Sequence, residues 1–439
     1  MPDKREEKHF IKEKIKDKPL NKKKVLQKGI ATAGYAVLFG VISCLVFCAL
    51  KPVMEPWFER EEDQWVGIPK DTLADDDHTG ETAADIDQNT VTDDVQAPEK
   101  NEKGQKTVYV TEKKDMTLDD YQKLQNQLYQ IGSHVNKSIV TVTGVKEGVD
   151  IFDSPYEASG QASGLIIGKS TKELLILTEN QVIKDVNAIR VTFINDDTQD
   201  AKLKKYDGNT GIAVLGVPVQ KIPKSTMSQI ETAVLGNSLN LRQGKMVIAL
   251  GSPLGTNYSI LTGNITSVTN KITTEDRNYT VFTTNIVSNT KGNGVLVNTD
   301  GEVIGLFLQS SNIQKEQNTL TAVSISELKD IIELLSNGLN IPYIGIKGST
   351  VTDAISQEYD IPKGVYIKET AADSPAMISG LQTGDVIAAV NKKEILSMKD
   401  YQQILLTLKK GDEVKITVNR QSAEGYKKFS CTVEAGVLR

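Results

Sequence analysis

The spacing of hydrophobic positions changes several times along the chain, and each change marks a different kind of segment. Residues 29–50 (GIATAGYAVLFGVISCLVFCAL) carry no charge, and a helix of ~20 apolar residues suffices to cross a hydrocarbon core. Gly29, Gly34 and Gly40 within the run are better tolerated in a membrane helix than in a soluble one. Residues 60 to about 105 are polar and acidic with no period, and burial there cannot offset the ordering entropy. Thr117 then reads as an N-cap, followed by Leu118, Tyr121, Leu124, Leu128 and Ile131 at helical spacing. A strand at 138–142 opens a series of short β-rich runs parted by Gly, Asn and Asp turns. They include 164–167, 174–177, 189–193, 213–215, 246–250 and 303–308, a spacing that predicts an all-β barrel or sandwich. Residues 326–335 (SELKDIIELL) predict an amphipathic helix ending at Gly338.

From about Asn340 the pattern becomes that of a compact α+β unit, with strands at 365–367 and 386–390. Val414/Ile416/Val418 and Phe429/Cys431/Val433 alternate as two more strands. A helix over 398–408 lies before them, capped by Ser397 with Asp400 three residues on. The expected organisation is a basic tail (1–28), a transmembrane helix (29–50), an acidic disordered linker (51–115), a β-rich domain (116–338) and the α+β unit (339–439).

Charge orients the anchor. Lys22, Lys23, Lys24 and Lys28 precede the apolar run, and a stretch dense in Asp and Glu follows it. The positive-inside rule places the N-terminus in the cytoplasm and the bulk of the chain outside. The expectation is a single-pass protein of the cell membrane that meets the lipid bilayer through residues 29–50. No clean small-residue cleavage site follows, so a retained signal anchor is expected. Cys44 sits in a faint likeness to a lipoprotein box, but Leu45, Val46 and Phe47 follow where polar residues are usual.

Composition narrows the chemistry. Aromatic residues make up 5% of the chain and the net charge is -6, which argues against a nucleic-acid partner. The three cysteines, Cys44, Cys48 and Cys431, form neither a disulfide framework nor a metal-ligand spacing. No nucleotide loop or cofactor box is present, so no cofactor and no metal site is expected. The three histidines are His9, His78 and His134, and His134 reads as a helix-end residue ahead of the first strand.

From about Ile131 to the C-terminus the chain resembles the HtrA (Deg) family, a trypsin-like double β-barrel followed by a PDZ domain. The residues that carry this are Ser163-Gly164-Leu165-Ile166-Ile167, similar to the family's first barrel strand, and Leu235-Gly236-Asn237-Ser238 with Leu241-Arg242-Gln243-Gly244. Ala249 to Gly255 (ALGSPLG), Thr262 to Val268 (TGNITSV) and Leu296 to Gly305 (LVNTDGEVIG) follow in the family's order. The resemblance implies a mainly β fold: a double barrel over 116–338 and a PDZ domain over 339–439.

It also locates three catalytic positions, and none holds the family's residue. Gln181 stands for the histidine in Leu177-Thr178-Glu179-Asn180-Gln181-Val182. Gly211, before Ile212-Ala213-Val214-Leu215, stands for the aspartate, and Gly292 in Thr290-Lys291-Gly292-Asn293-Gly294 stands for the serine. A serine hydroxyl needs an adjacent imidazole to take its proton. A glutamine amide is not a base, and glycine has no atom with which to attack. The expectation is therefore that the chain is not an enzyme. The alternative is an active endopeptidase with a relocated site, using Ser288 or Thr290 with Lys291 as base.

Pro342-Tyr343-Ile344-Gly345-Ile346 resembles the family's carboxylate-binding loop, which implies that Tyr343, Ile344, Gly345 and Ile346 receive a peptide C-terminus. Gly380 to Ile387 (GLQTGDVI) matches a structural turn of such domains. Tyr401, Leu405 and Leu408, at helical spacing, either line the peptide groove or belong to the core. Together these readings predict a membrane-anchored, extracytoplasmic HtrA-like pseudoprotease that binds protein or peptide C-termini. Its expected role is envelope protein quality control, alone or in a homo- or hetero-oligomer with HtrA-like proteins.

Overall fold

The computed structural model describes residues 35, 38–43, 65–72, 116–149, 155–309 and 318–438. The chain divides into two compact units, residues 1–64 and 65–439. In the first unit, Tyr35 and residues 38–43 are helical and exposed. The rest of the 29–50 segment, the basic tail and most of the 51–115 linker lie outside the described residues. Among the described residues no helix is long and apolar enough to cross a membrane.

The second unit contains the expected double barrel. The first barrel closes in the order β1-β2-β3-β6-β5-β4, from β1 (Ile139–Val149), β2 (Pro155–Lys169), β3 (Glu173–Glu179), β4 (Ala188–Thr192), β5 (Thr198–Tyr206) and β6 (Ile212–Pro218). The second closes as β10-β11-β12-β9-β8-β7. Its strands are β7 (Met246–Ser252), β8 (Ser259–Thr274), β9 (Arg277–Val287), β10 (Asn293–Val297), β11 (Val303–Phe307) and β12 (Thr319–Ser324). Closure leaves no unpaired edge to template aggregation. The run at 163–167 is the second barrel strand and not the first: it pairs with β1, Ile139 opposite Leu165.

Helix α1 (Leu118–Val135) starts at the expected N-cap Thr117, which forms a capping box with Asp120. Only its second half uses the apolar stripe. Leu128 and Val135 are buried and Ile131 packs on the same core, whereas Leu118 is 84% exposed and Tyr121 52%. Two short helices follow, α2 (Asn180–Ile183) and α3 (Lys224–Met227). Helix α4 (Ile325–Ser336) buries Ile325, Leu328, Ile331, Ile332 and Leu335 in the core shared by both barrels, beside Leu165, Ile248 and Leu250. Full burial of one such side chain stabilises by ~1.5–3 kcal/mol.

Residues 65–72 correct the expectation of a disordered spacer over the whole of 51–115. They pass along α4 without regular structure of their own. Asn337 exchanges hydrogen bonds with the backbone of Val66, and the Ile68 N–H donates to Glu333 at 3.1 Å. Asp71 accepts from Ser326 at 2.6 Å and from the Lys329 ammonium at 2.7 Å. Lys329 is 3% exposed, so the aspartate supplies a buried cation with its counter-charge.

The C-terminal domain has its own core. β13 (Pro342–Tyr343) pairs with β20 (Gly436–Val437). The main sheet runs β14 (Ile346–Thr350), β15 (Val365–Thr370), β16 (Val386–Val390), β18 (Glu413–Ser422) and β19 (Gly425–Glu434), with β17 (Lys393–Glu394) on β16. Around it lie α5 (Asp353–Tyr359), α6 (Pro375–Ile378) and α7 (Met398–Leu405). Helix α7 has the expected capping box at Ser397 and Asp400. It stops at Leu405 and not at 408, because the Thr407 and Leu408 N–H groups reach only three residues back, to Ile404 and Leu405. In the turn before β16, Asp385 is buried and holds the Arg420 guanidinium at 2.7 and 2.8 Å.

Candidate functional site

A cleft of about 640 Å³ lies where the barrels meet. Its walls bring together Ser163, Gln181, Ser252, Asn257, Thr290, Lys291 and Asn293. Lys146 and Lys184 line it as well, and among the described residues the lining carries no carboxylate. Gln181 thus lines the same cleft as Thr290, Lys291 and Asn293.

Gln181 sits exposed in the single turn of α2, and the turn is pinned from behind. The Asn180 N–H donates to the Gly211 carbonyl at 2.7 Å, and the Gly211 N–H donates to the Asp207 carbonyl at 2.9 Å. Asp207 is buried and caps this turn by accepting from the Asn209 and Thr210 N–H groups and the Thr210 hydroxyl. Gly211 has φ +78, a backbone region that glycine enters without steric cost. It holds α2 by main-chain bonds while offering no side chain to the cleft.

Gly292 belongs to a loop tied to Pro253. The Asn289 N–H and the Ser288 hydroxyl both donate to the Pro253 carbonyl at 3.1 Å, and the Gly292 N–H donates to Asn289 at 3.0 Å. A Cβ placed on Gly292 would lie 2.5 Å from that carbonyl oxygen and closer still to the Ser288 hydroxyl. A side chain at 292 therefore requires the loop to move. Ser288, proposed from sequence as a nucleophile, has its hydroxyl turned to the Pro253 and Asn289 carbonyls. Thr290 and Lys291 do line the cleft. His134, on α1, is 3.2 Å from Glu231.

The polar web behind the cleft was not anticipated from sequence. Asn293 is buried and its side-chain carbonyl accepts the Ser163 N–H at 2.7 Å. The Ser163 hydroxyl donates to Asn257 at 2.7 Å, and the Asn257 amide donates to Val140 and Thr141. An asparagine in a turn-rich sequence carries no mark of such a partner a hundred residues away.

In the C-terminal domain the residues of the expected carboxylate-binding loop do converge on a carboxylate. It belongs to Asp276, in the turn between β8 and β9 of the second barrel. Its side chain accepts from the Ile344 and Gly345 N–H groups, each at 2.7 Å, and from the Ile346 N–H at 3.1 Å. The Tyr401 hydroxyl donates to it at 2.7 Å, and its own N–H donates to the Ile346 carbonyl at 2.6 Å. Gly345, at φ +91, turns the loop so that consecutive N–H groups face one point.

Burial pushes the Asp276 carboxyl above its ordinary range, opposed by the donors of Gly345, Tyr401, Ile344 and Ile346. Burial likewise raises the Tyr401 phenol, with the Asp276 charge adding to it. Tyr343 stands beside Gly345 and is also raised, by burial and by Glu275. Leu405 is fully buried in the domain core and Leu408 packs against that core, so of the two sequence readings this arrangement displays the core one. Among the described residues no group of side chains is placed to hold a metal ion.

The comparisons with known proteins agree with this architecture. Residues 162–306 match the trypsin-like peptidase domain and residues 342–428 match the PDZ domain. The chain is 32% identical over 279 residues to serine protease Do-like HtrB of Bacillus subtilis, covering 59% of each. To serine protease Do-like HtrA of Lactobacillus helveticus it is 31% identical over 287 residues, covering 61% of this chain and 67% of the relative. It thus spans about three-fifths of the length of the first of these and two-thirds of the second. Among solved structures, an HtrA-type protease, AlgW with tripeptide, superposes with a TM-score of 0.50 at 21% identity, over 71% of this chain and 97% of that one, a likeness of fold.

These findings correct the expectation that the chain is not an enzyme, since the relatives it matches are named serine proteases. That expectation carried Gln181, Gly211 and Gly292 over to the whole cleft, although the lining holds other hydroxyls and amines. By its paired domains and its relatives, the chain belongs to the HtrA family.

Proposed function

We propose that this HtrA-family protein captures exposed polypeptide C-termini through its PDZ domain, as part of protein quality control at the outer face of the cell membrane. The observation that carries the reading is the convergence of the Ile344, Gly345 and Ile346 N–H groups on a single carboxylate. A peptide's terminal carboxylate suits the same donors, with the peptide added as a strand beside β14. The decisive experiment measures binding of labelled peptides to the full chain in detergent micelles by fluorescence anisotropy. Saturable binding of peptides with a free C-terminus, weakened at least tenfold by C-terminal amidation, is the expected result. Equal affinity for acid and amide would overturn the proposal.

Anchoring through residues 29–50, with the N-terminus cytoplasmic, is part of the same proposal and rests on the apolar run and its lysine flank. Resistance of the chain to carbonate extraction from membranes tests it, and release into the supernatant would refute it. Association with a second copy or with another HtrA-like chain is supported by the exposed apolar residues Met116, Leu118 and Tyr121 at the start of α1.

A second reading is favoured by the names of the relatives: an endopeptidase whose nucleophile is not at position 292. Thr290 and Ser252, both lining the cleft with Lys291, are its candidate hydroxyls. Labelling by a fluorophosphonate, mapped by mass spectrometry to one of them and accompanied by casein cleavage, supports this reading. Absence of both label and cleavage removes it.

A further inference from the structure

The carboxylate in the PDZ loop comes from the chain itself. Asp276 occupies all three backbone donors that a peptide C-terminus requires, and its N–H makes a strand-like bond to the Ile346 carbonyl. Two residues on, the Asn278 amide donates to the Gly348 carbonyl, continuing the contact along β14. The turn is braced from behind: Asn209 of the first barrel donates to the Glu275 carbonyl at 2.8 Å, and the Thr274 hydroxyl donates to the Arg277 carbonyl. The carboxylate is thus presented by a held hairpin and not by a loose side chain.

We infer that Asp276 is an internal competitive ligand, so that a polypeptide C-terminus enters the PDZ groove only by displacing the β8–β9 hairpin of the barrel. The inference rests on the peptide-capture reading above and adds to it the regulation of that site. Three further features point the same way. Asp276 is 2% exposed, so two carboxylates cannot share the loop. Its φ of +61 is a conformation glycine would adopt more readily, yet the turn carries a carboxylate there. The Tyr401 hydroxyl of α7 adds a side-chain donor to the three backbone ones.

A groove that is open in only a fraction of molecules shows an apparent affinity reduced by that fraction, and removing the competitor restores it. Asp276→Gly deletes the carboxylate and relieves the positive φ, which protects folding. Asp276→Asn keeps the shape and removes the charge.

The experiment titrates the full chain in detergent micelles with a fluorescein-labelled decapeptide pool, randomised at its last four positions. The pool is used with free C-termini and, in parallel, amidated. Expected is a gain in affinity of about 10-fold for the free-acid pool in Asp276→Gly, a smaller gain in Asp276→Asn, and no change for the amidated pool. Hydrogen exchange at the Ile344–Ile346 amides should also quicken in Asp276→Gly without peptide. Equal or weaker free-acid binding in both variants overturns the inference while leaving peptide capture intact. Absence of binding in all three proteins overturns peptide capture and the inference with it.

Discussion

Asn293 accepts the backbone N–H of Ser163 through its side-chain carbonyl at 2.7 Å, so one buried hydrogen bond joins the two barrels behind the cleft. Both residues line that cleft, and the bond fixes one wall against the other. Asn293→Ala leaves a buried N–H without its acceptor, at a cost of about 1–3 kcal/mol. Urea unfolding followed by circular dichroism should show a lower midpoint of that size. An unchanged midpoint would mean that solvent satisfies the Ser163 amide.

Gly292 is enclosed by its own loop. Because a Cβ there would fall 2.5 Å from the Pro253 carbonyl oxygen, Gly292→Ser should lower stability by about 1–3 kcal/mol, the usual cost of overpacking. Gly292→Ser combined with Ser288→Ala removes one of the two obstructing atoms and should recover part of the loss. Thermal melts of the single and double variants distinguish strain at Ser288 from strain at Pro253.

Lys329 depends on Asp71 for its counter-charge. Asp71→Ala strands an ammonium that is 3% exposed, and breaking a buried pair in this way costs about 3–5 kcal/mol. Asp71→Ala with Lys329→Met should be markedly more stable than Asp71→Ala alone, since no charge is then left buried. Chemical denaturation of the two variants tests the order.

Glu327 gives a pH dependence. Burial raises its carboxyl above the ordinary value of 4.5, while the Thr280 N–H and hydroxyl donate to it. A carboxyl raised in the folded state contributes stability that is fully present below its unfolded value and is lost as pH rises through the folded one. The stability of the native protein relative to Glu327→Gln should therefore fall as pH increases from about 4.5 towards neutrality. Melting temperatures of the two proteins across that range check the sign, and parallel curves would refute it.

The architecture was legible wherever local pattern and local bonding coincide. Thr117 with Asp120 and Ser397 with Asp400 announce helix starts because a capping box is complete within four residues. The buried strand Ile212–Pro218 and helix α4 announce themselves by continuous or periodic hydrophobicity. The order of the barrel strands was less accessible. The strand at 138–142 could be read from its own pattern, but that it belongs to the barrel and pairs with the 163–167 run depends on contacts about twenty-five residues apart.

The candidate site was legible only in part. Gln181, Gly211 and Gly292 could be placed by flanking motifs, and the structure sets Gln181 in one cleft with the neighbours of Gly292. What those three positions could not convey was the rest of that lining, nor the enzyme names carried by the relatives. Asp276 was beyond reach for another reason. Its partners lie about seventy residues ahead in a different domain, and an aspartate in a hairpin turn ordinarily serves the turn itself. The residues of 65–72 were hidden by their acidic surroundings, because Trp65, Val66 and Ile68 followed by one aspartate leave no period to detect.

The clasp between residues 65–72 and α4 sets where mechanical load enters the folded unit. Asn337, Glu333, Lys329 and Ser326 grip the incoming chain along one side of the helix that leads directly into the PDZ domain. A pull on the chain at Trp65 therefore loads these bonds in shear along α4. Because α4 buries Ile325, Leu328, Ile331, Ile332 and Leu335 among residues of both barrels, the clasp couples the incoming chain to their shared core.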